Sequence, residues 1–269
     1  MEHIFDTATA LKSLGPNRYA GQPDPAYGNL AGPFGGTTSA TLLRAILEHP
    51  KCRGQAVNQS VNFCAAIGNE AFEIKTKLIR EGRYLQHWNA ELHQSGEVRA
   101  TAHVVTAERR ETFSHHSAPM PQAKPPSDCT LVPELSGFSE WLNRYEFLFS
   151  SGEVAFGASA KSLSPAATTL WIRDRPNRPL DALSLAAMSD AFFLRLLHVR
   201  GALAPMGTVS LMTHFLADEA EIAAQGHQPV LGHADAIRFH GNFHDQHMQL
   251  WSADGKLLAT GSQLVWFKS

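Results

Sequence analysis

Three polar residues stand in segments that otherwise read as buried, and their types suit the handling of a water molecule. Helical spacing sets Asp190 beside Leu183, Ala186, Ala187, Phe193 and Leu194 on an apolar stripe. A carboxylate there is costly without partners, and the stripe supplies no cation; Arg195 and Arg173 would have to reach it from elsewhere. Thr208 opens a strand-like run to Phe215 in which Val209, Leu211 and Phe215 share one face, while Thr208 and Ser210 share the other. Gln263 interrupts the final strand, with Leu257, Ala259, Gly261, Val265 and Phe267 on its own face and Leu258, Leu264 and Trp266 opposite. Apolar residues on both faces predict a covered central strand. A buried amide left unpaired costs about 1–3 kcal/mol, so Gln263 is expected to have a defined partner.

Other chemistries find less support. No G-x-S-x-G elbow occurs, and Cys52, Cys64 and Cys129 lack a reactive context or a C-x-x-C pair. Gly32, Gly35 and Gly36 form neither a dinucleotide fingerprint nor a P-loop, so no cofactor is expected. The 14 histidines include His240, His244 and His247 and the pair His115 and His116. On one strand His247 would point away from the other two, and nothing completes a tetrahedral set, so no metal is expected. Asp235 and His240 have the spacing of a hydratase acid/base pair, but an offset of five on a strand would place them on opposite faces. Chemistry by activated water is what remains.

The elements that must position these residues fall into two similar halves. The stretch 112–137 holds Pro119, Pro121, Pro125, Pro126 and Pro133 and reads as a linker. It separates an N-terminal unit, 1–111, from a C-terminal unit, 138–269. In the first, Gly35 and Gly36 precede Thr37, Thr38 and Ser39, any of which could cap a helix carrying Leu42, Leu43, Ile46 and Leu47. In the second, residues 179–199 read as one helix buried all round. Gly96, Ala100 and Thr101 fall on Gly255, Ala259 and Thr260, each set a turn followed by a strand. Extending the register places Val104 opposite Gln263; aligning Val61 with Thr213 places Ala56 opposite Thr208. The resulting expectation is an α+β fold of two curved antiparallel sheets, each wrapped around its own helix, joined edge to edge with a cleft between.

Taken together, Ser189-Asp190, Thr208 and the run from Asp254 to Gln263 resemble the acyl-CoA thioesterase II (TesB-like) family of double hotdog proteins. Gly35-Gly36 and the stretch Arg80-Glu81-Gly82-Arg83 before a strand ending at Gln94 are similar to that family's first hotdog. Ser210, Leu211 and Leu264-Val265 depart from its pattern. The resemblance implies hydrolysis of acyl-CoA to a carboxylic acid and CoA, with Asp190, Thr208 and Gln263 holding a water and no covalent intermediate. It further implies an apolar tunnel for the acyl chain, with Gly35 and Gly36 at the substrate and Arg80 and Arg83 near the nucleotide phosphates. Alternatives are a non-catalytic acyl-thioester binding protein and an enoyl-thioester hydratase. Charge bounds the partners: 23 Lys plus Arg against 25 Asp plus Glu leaves a formal -2, which gives no drive toward nucleic acid or anionic lipid. No apolar stretch is long enough to span a bilayer, and the first residues carry Glu2 and Asp6 where a leader would be basic. A cytoplasmic protein in lipid metabolism, self-associating into a homo-oligomer, is the corresponding expectation.

Overall fold

A computed structural model describes residues 2–135, 137, 139–153, 165–193, 195–200 and 204–268. The first half runs α1 (Ile4–Ala8), β1 (Lys12–Gly15), β2 (Arg18–Gly21), α2 (Gly35–Leu47), β3 (Gln55–Phe63), β4 (Phe72–Glu81), β5 (Leu85–Gln94) and β6 (Glu97–Ala107). The second runs β7 (Thr130–Leu131), β8 (Tyr145–Ser151), β9 (Thr168–Asp174), α3 (Ala182–Met188), α4 (Arg195–Arg200), β10 (Met206–Phe215), α5 (Glu219–Gln225), β11 (Val230–Asp235), β12 (Phe239–His240), β13 (Phe243–Trp251) and β14 (Leu257–Phe267). The strands form one antiparallel sheet in the order β1-β2-β4-β5-β6-β3-β10-β14-β13-β11-β9-β8-β7, with β12 paired to β13. Alternation drives this. In β5, Gln86, Trp88, Ala90, Leu92 and Gln94 are buried while Leu85, Asn89 and Glu91 are exposed.

The halves join through β3 and β10, where Asn58 faces His214, Ser60 faces Met212 and Asn62 faces Ser210. Ser60 and Met212 are equivalent positions when Val61 is aligned with Thr213, so the seam is symmetric about that pair. Each half thereby covers the other's open edge. The duplication extends to a detail of the backbone. The β3–β6 ladder shifts register between Ala56 and Asn58, and the β10–β14 ladder shifts between Thr208 and Ser210, at the equivalent place. Both are bulges of one extra residue.

Each sheet closes over its helix. Leu42, Leu43, Ala45 and Ile46 of α2 and Leu185, Ala186 and Ala187 of α3 are fully buried, and the two helices pack against one another across the seam. Burying a leucine or isoleucine is worth about 1.5–3 kcal/mol. The linker is no loose tether. Met120, Ala123 and Cys129 pack on Trp171, Leu231 and Trp251, and Trp171 Nε1 donates to the Lys124 carbonyl at 2.9 Å.

The structure differs from the sequence expectation at four places. First, α2 starts at Gly35, with Phe34 as N-cap and no side-chain cap. The Thr37 and Thr38 hydroxyls donate back to the Phe34 carbonyl instead. Second, the single helix expected over 179–199 is broken. Ser189 caps α3, the Asp190 and Ala191 amides bond the Ala187 and Met188 carbonyls in a tight turn, and α4 begins at Arg195; Leu194 lies outside the described residues. The buried polar groups of this stretch cause the break. The Ser189 hydroxyl donates to the Ala186 carbonyl, and the Arg195 guanidinium serves the carbonyls of Phe193 and Ala166. Third, β14 is central but not covered on both faces, since Leu264 and Trp266 are 41% and 40% exposed. Fourth, Asp235 and His240 do not share a strand; they end β11 and β12.

Candidate active site

Asp190 sits in the turn that ends α3, facing the seam between the halves. Its carboxylate Oδ1 accepts from Gln263 Nε2 at 2.5 Å and from Thr208 Oγ1 at 3.4 Å, and the backbone N–H of Gly36 also donates to the carboxylate. These donors come from three places: β14, β10 and the first turn of α2. No side chain caps α2, so its first N–H groups are free to face an anion, and the helix dipole favours one there. Asp190, which belongs to the other half, takes the place of the missing cap.

The bulge in β10 decides where Thr208 points. Strict alternation puts it on the face of Ser210, away from Leu211 and Thr213. The extra residue between Thr208 and Ser210 reverses this: Thr208 now stands opposite Val265, as Leu211 stands opposite Gln263 and Thr213 opposite Gly261. All three pairs face inward.

Close approach of the two helices demands the paired glycines. A Cβ on Gly35 would stand 2.5 Å from Asp190 Oδ2 and 3.3 Å from the Phe63 ring, and one on Gly36 would collide with the Ala187 carbonyl and the Phe34 ring. Ser189, fully buried, accepts from Thr213 Oγ1 at 2.9 Å and ties the α3 end to β10.

Burial pushes the Asp190 carboxyl up from its ordinary 3.8 to about 7, against the opposing pull of the Gln263, Thr208 and Gly36 donors. No charged side chain is among the causes. A carboxyl so placed can exchange a proton near neutrality.

The structure thus brings together Asp190, Thr208, Gln263, Gly35 and Gly36, and does not bring Arg80 and Arg83 to them. Phe63, at the site, is separated from Gln55 by the length of β3, about 26 Å at 3.3 Å per residue. Gln55 pairs with Ala107 and Ala107 with Leu85, and Gly82 bonds the Leu85 carbonyl, so Arg83 lies beyond that distant end. Arg80 is three strands from the seam, opposite His87. Both are exposed.

One residue escaped the sequence reading. Gln246 of β13 is buried, faces Gln263 directly in the ladder, and donates from Nε2 to Gln263 Oε1 at 2.7 Å. Its signal was present, an amide within the inward set His244, Gln246, Met248 and Leu250. In the first half the corresponding β5–β6 pair is Trp88 opposite Val104, and an amide, Gln59, faces Val104 from β3 instead. There the amide is on the other strand and is consumed by Ser39 of α2, through its hydroxyl at 3.2 Å and carbonyl at 2.9 Å.

A sheet wrapping a central helix, twice over, with a polar cluster where the helices meet, defines the class: a double hotdog protein. Residues 23–107 match the family described as acyl-CoA thioesterase N-terminal domain, and residues 117–267 match its C-terminal domain. The chain belongs to the acyl-CoA thioesterase family. Among solved structures it is similar to a conserved hot dog fold protein of unknown function from Alicyclobacillus acidocaldarius, at 38% identity and a TM-score of 0.93, covering 100% of this chain and 99% of that one. It also shares its fold with the acyl-CoA thioesterase II TesB2 of Mycobacterium marinum (18% identity, TM-score 0.77, 98% of both chains). The tesB protein of Mycobacterium avium subsp. paratuberculosis is alike to the same degree (18%, 0.79, 98% of both). No curated protein matched significantly. Among the described residues no helix is long and apolar enough to cross a membrane.

Proposed function

We propose that the protein hydrolyses acyl-CoA thioesters at the Asp190 site, one site per chain. The observation that carries this reading is the convergence of Gln263, Thr208 and the α2 N-terminus on one buried carboxylate that makes no ion pair among the described residues. The ionised Asp190 accepts a proton from water as the water oxygen attacks the thioester carbonyl. Thr208 and Gln263 hold the water and the carboxylate in line. Negative charge passes to the carbonyl oxygen, which the positive end of α2 stabilises. Collapse of the tetrahedral intermediate breaks the C–S bond, and the departing thiolate takes the proton back from Asp190. The products are a carboxylic acid and a thiol, and Asp190 returns to its starting state.

A base with a pKa near the working pH is the efficient choice for such a step, and burial supplies it here. Positioned acid/base groups of this kind contribute about 10²–10⁴ in rate. The paired glycines let Asp190 approach the start of α2 without a side chain between them.

Thiol release from short, medium and long acyl-CoA esters, compared between the wild type and Asp190→Asn, tests the proposal. Release that depends on Asp190 is the expected outcome. Saturable binding of the esters with no release by the wild type would overturn hydrolysis and favour a binding protein.

A further inference from the structure

We infer that Gln246 is a positioning residue, one that holds the Gln263 amide with its N–H side toward Asp190 throughout the reaction cycle. The inference rests on the reading of Asp190 as the base. A carboxamide has two nearly equal orientations, differing by exchange of its oxygen and nitrogen. While Asp190 is ionised it is an acceptor only, and it selects the N–H side of Gln263 unaided. After taking a proton from water, Asp190 becomes a hydroxyl donor, and a carbonyl oxygen turned toward it would make an equally good bond. Gln263 would then be free to rotate, and its rotation would stabilise the protonated acid and oppose return of the proton.

Gln246 opposes that rotation. It stands directly across the ladder from Gln263, is 3% exposed, and donates its Nε2–H to Gln263 Oε1 at 2.7 Å. With that oxygen held, Gln263 offers Nε2 to Asp190, and it can turn its oxygen there only if the Gln246 amide turns with it. The result is a chain of amides from β13 through β14 to the carboxylate, each donating toward Asp190. Two titratable side chains face it. Tyr145 of β8 feels the Asp190 charge and is kept protonated by complete burial, and His244, two residues from Gln246 on the same face of β13, is kept neutral by burial.

Gln246→Met keeps the volume and removes the donor. A net hydrogen bond of typical strength corresponds to a factor of about 3–10. The expected result is a rise of half to one unit in the pH at which Asp190 titrates, about 2- to 6-fold lower kcat at pH 7 that recovers toward pH 9, and KM within about twofold. The Asp190 carboxyl is followed directly by carbon-13 NMR of aspartate-labelled protein, assigned with Asp190→Asn. An unchanged Asp190 titration in Gln246→Met would overturn the inference, even if that variant melts at a lower temperature. Should that variant not fold, Gln246→Asn, whose amide is one methylene short, carries the same expectation. A wild type that hydrolyses no thioester, combined with a shifted titration in the variant, would remove the proposed function and leave the positioning role standing.

Discussion

Replacing Asp190 by asparagine should abolish hydrolysis and, above neutral pH, make the fold more stable. The carboxyl titrates near 3.8 when unfolded and is raised to about 7 in the folded protein. Its sign is therefore opposite to that of a salt-bridged aspartate. Between those values the unfolded chain releases a proton that the folded chain keeps, so stability is fully present below about pH 4 and falls until the folded group ionises near 7. About three units at 1.36 kcal/mol each give a loss of about 4 kcal/mol across that window. Asparagine carries no such burden, although its NH₂ group must face one of the donors that now serve the carboxylate, at a cost of about 1–3 kcal/mol at every pH. The quantity to measure is the difference in unfolding free energy, variant minus wild type, by denaturant titration at pH 4 and pH 8. It should grow by about 4 kcal/mol in favour of the variant, while hydrolysis falls at least about 10²-fold at pH 8. A stability difference independent of pH would refute the burial argument, and full activity would remove Asp190 from the reaction.

Further expectations are open to direct measurement. For the wild type, kcat/KM should rise about tenfold per pH unit below neutrality and level off above an apparent pKa of about 7; a limb near 4 would mean that Asp190 is not the base. Thr208→Val removes a long bond of 3.4 Å and should cost about 3- to 10-fold in kcat, with Thr208→Ser restoring most of it. Gly35→Ala places a methyl against Asp190 Oδ2 and should lower kcat at least about tenfold, which steady-state kinetics on a folded variant will show. Arg178 ties α1 to α3 through Asp6 and Asp181, each at 2.8 Å, and both carboxylates are partly exposed. Arg178→Met should therefore cost only about 1–2 kcal/mol in thermal unfolding and leave kcat unchanged.

Much of this protein was legible in its sequence because burial and periodicity are local signals. Alternation marked the strands, and Asp190 and Gln263 stood out because a polar side chain within an apolar pattern needs a partner. The duplication was legible as well, since equal folds preserve equal spacing of turns, and the symmetric seam about Ser60 and Met212 follows the same alignment.

What the pattern could not carry was direction. Thr208 appeared to face the wrong way, because a single extra residue in the β10–β14 ladder inverts the face of everything before it. The apolar periodicity runs a helix through Asp190, because the groups that hold the chain on either side of the break, Thr213 at Ser189 and Ala166 at Arg195, are remote in sequence. Arg80 and Arg83 adjoin a strand of the right half but sit at its far end. The pairing of Gln246 with Gln263 and the use of the uncapped α2 to hold a carboxylate from the other half exist only once the two sheets have joined. Residue types thus determined which groups would be buried and in need of partners, whereas the bulge, the broken helix and the seam decided which groups meet, since those contacts span up to about 150 residues of chain and leave no trace in any local window.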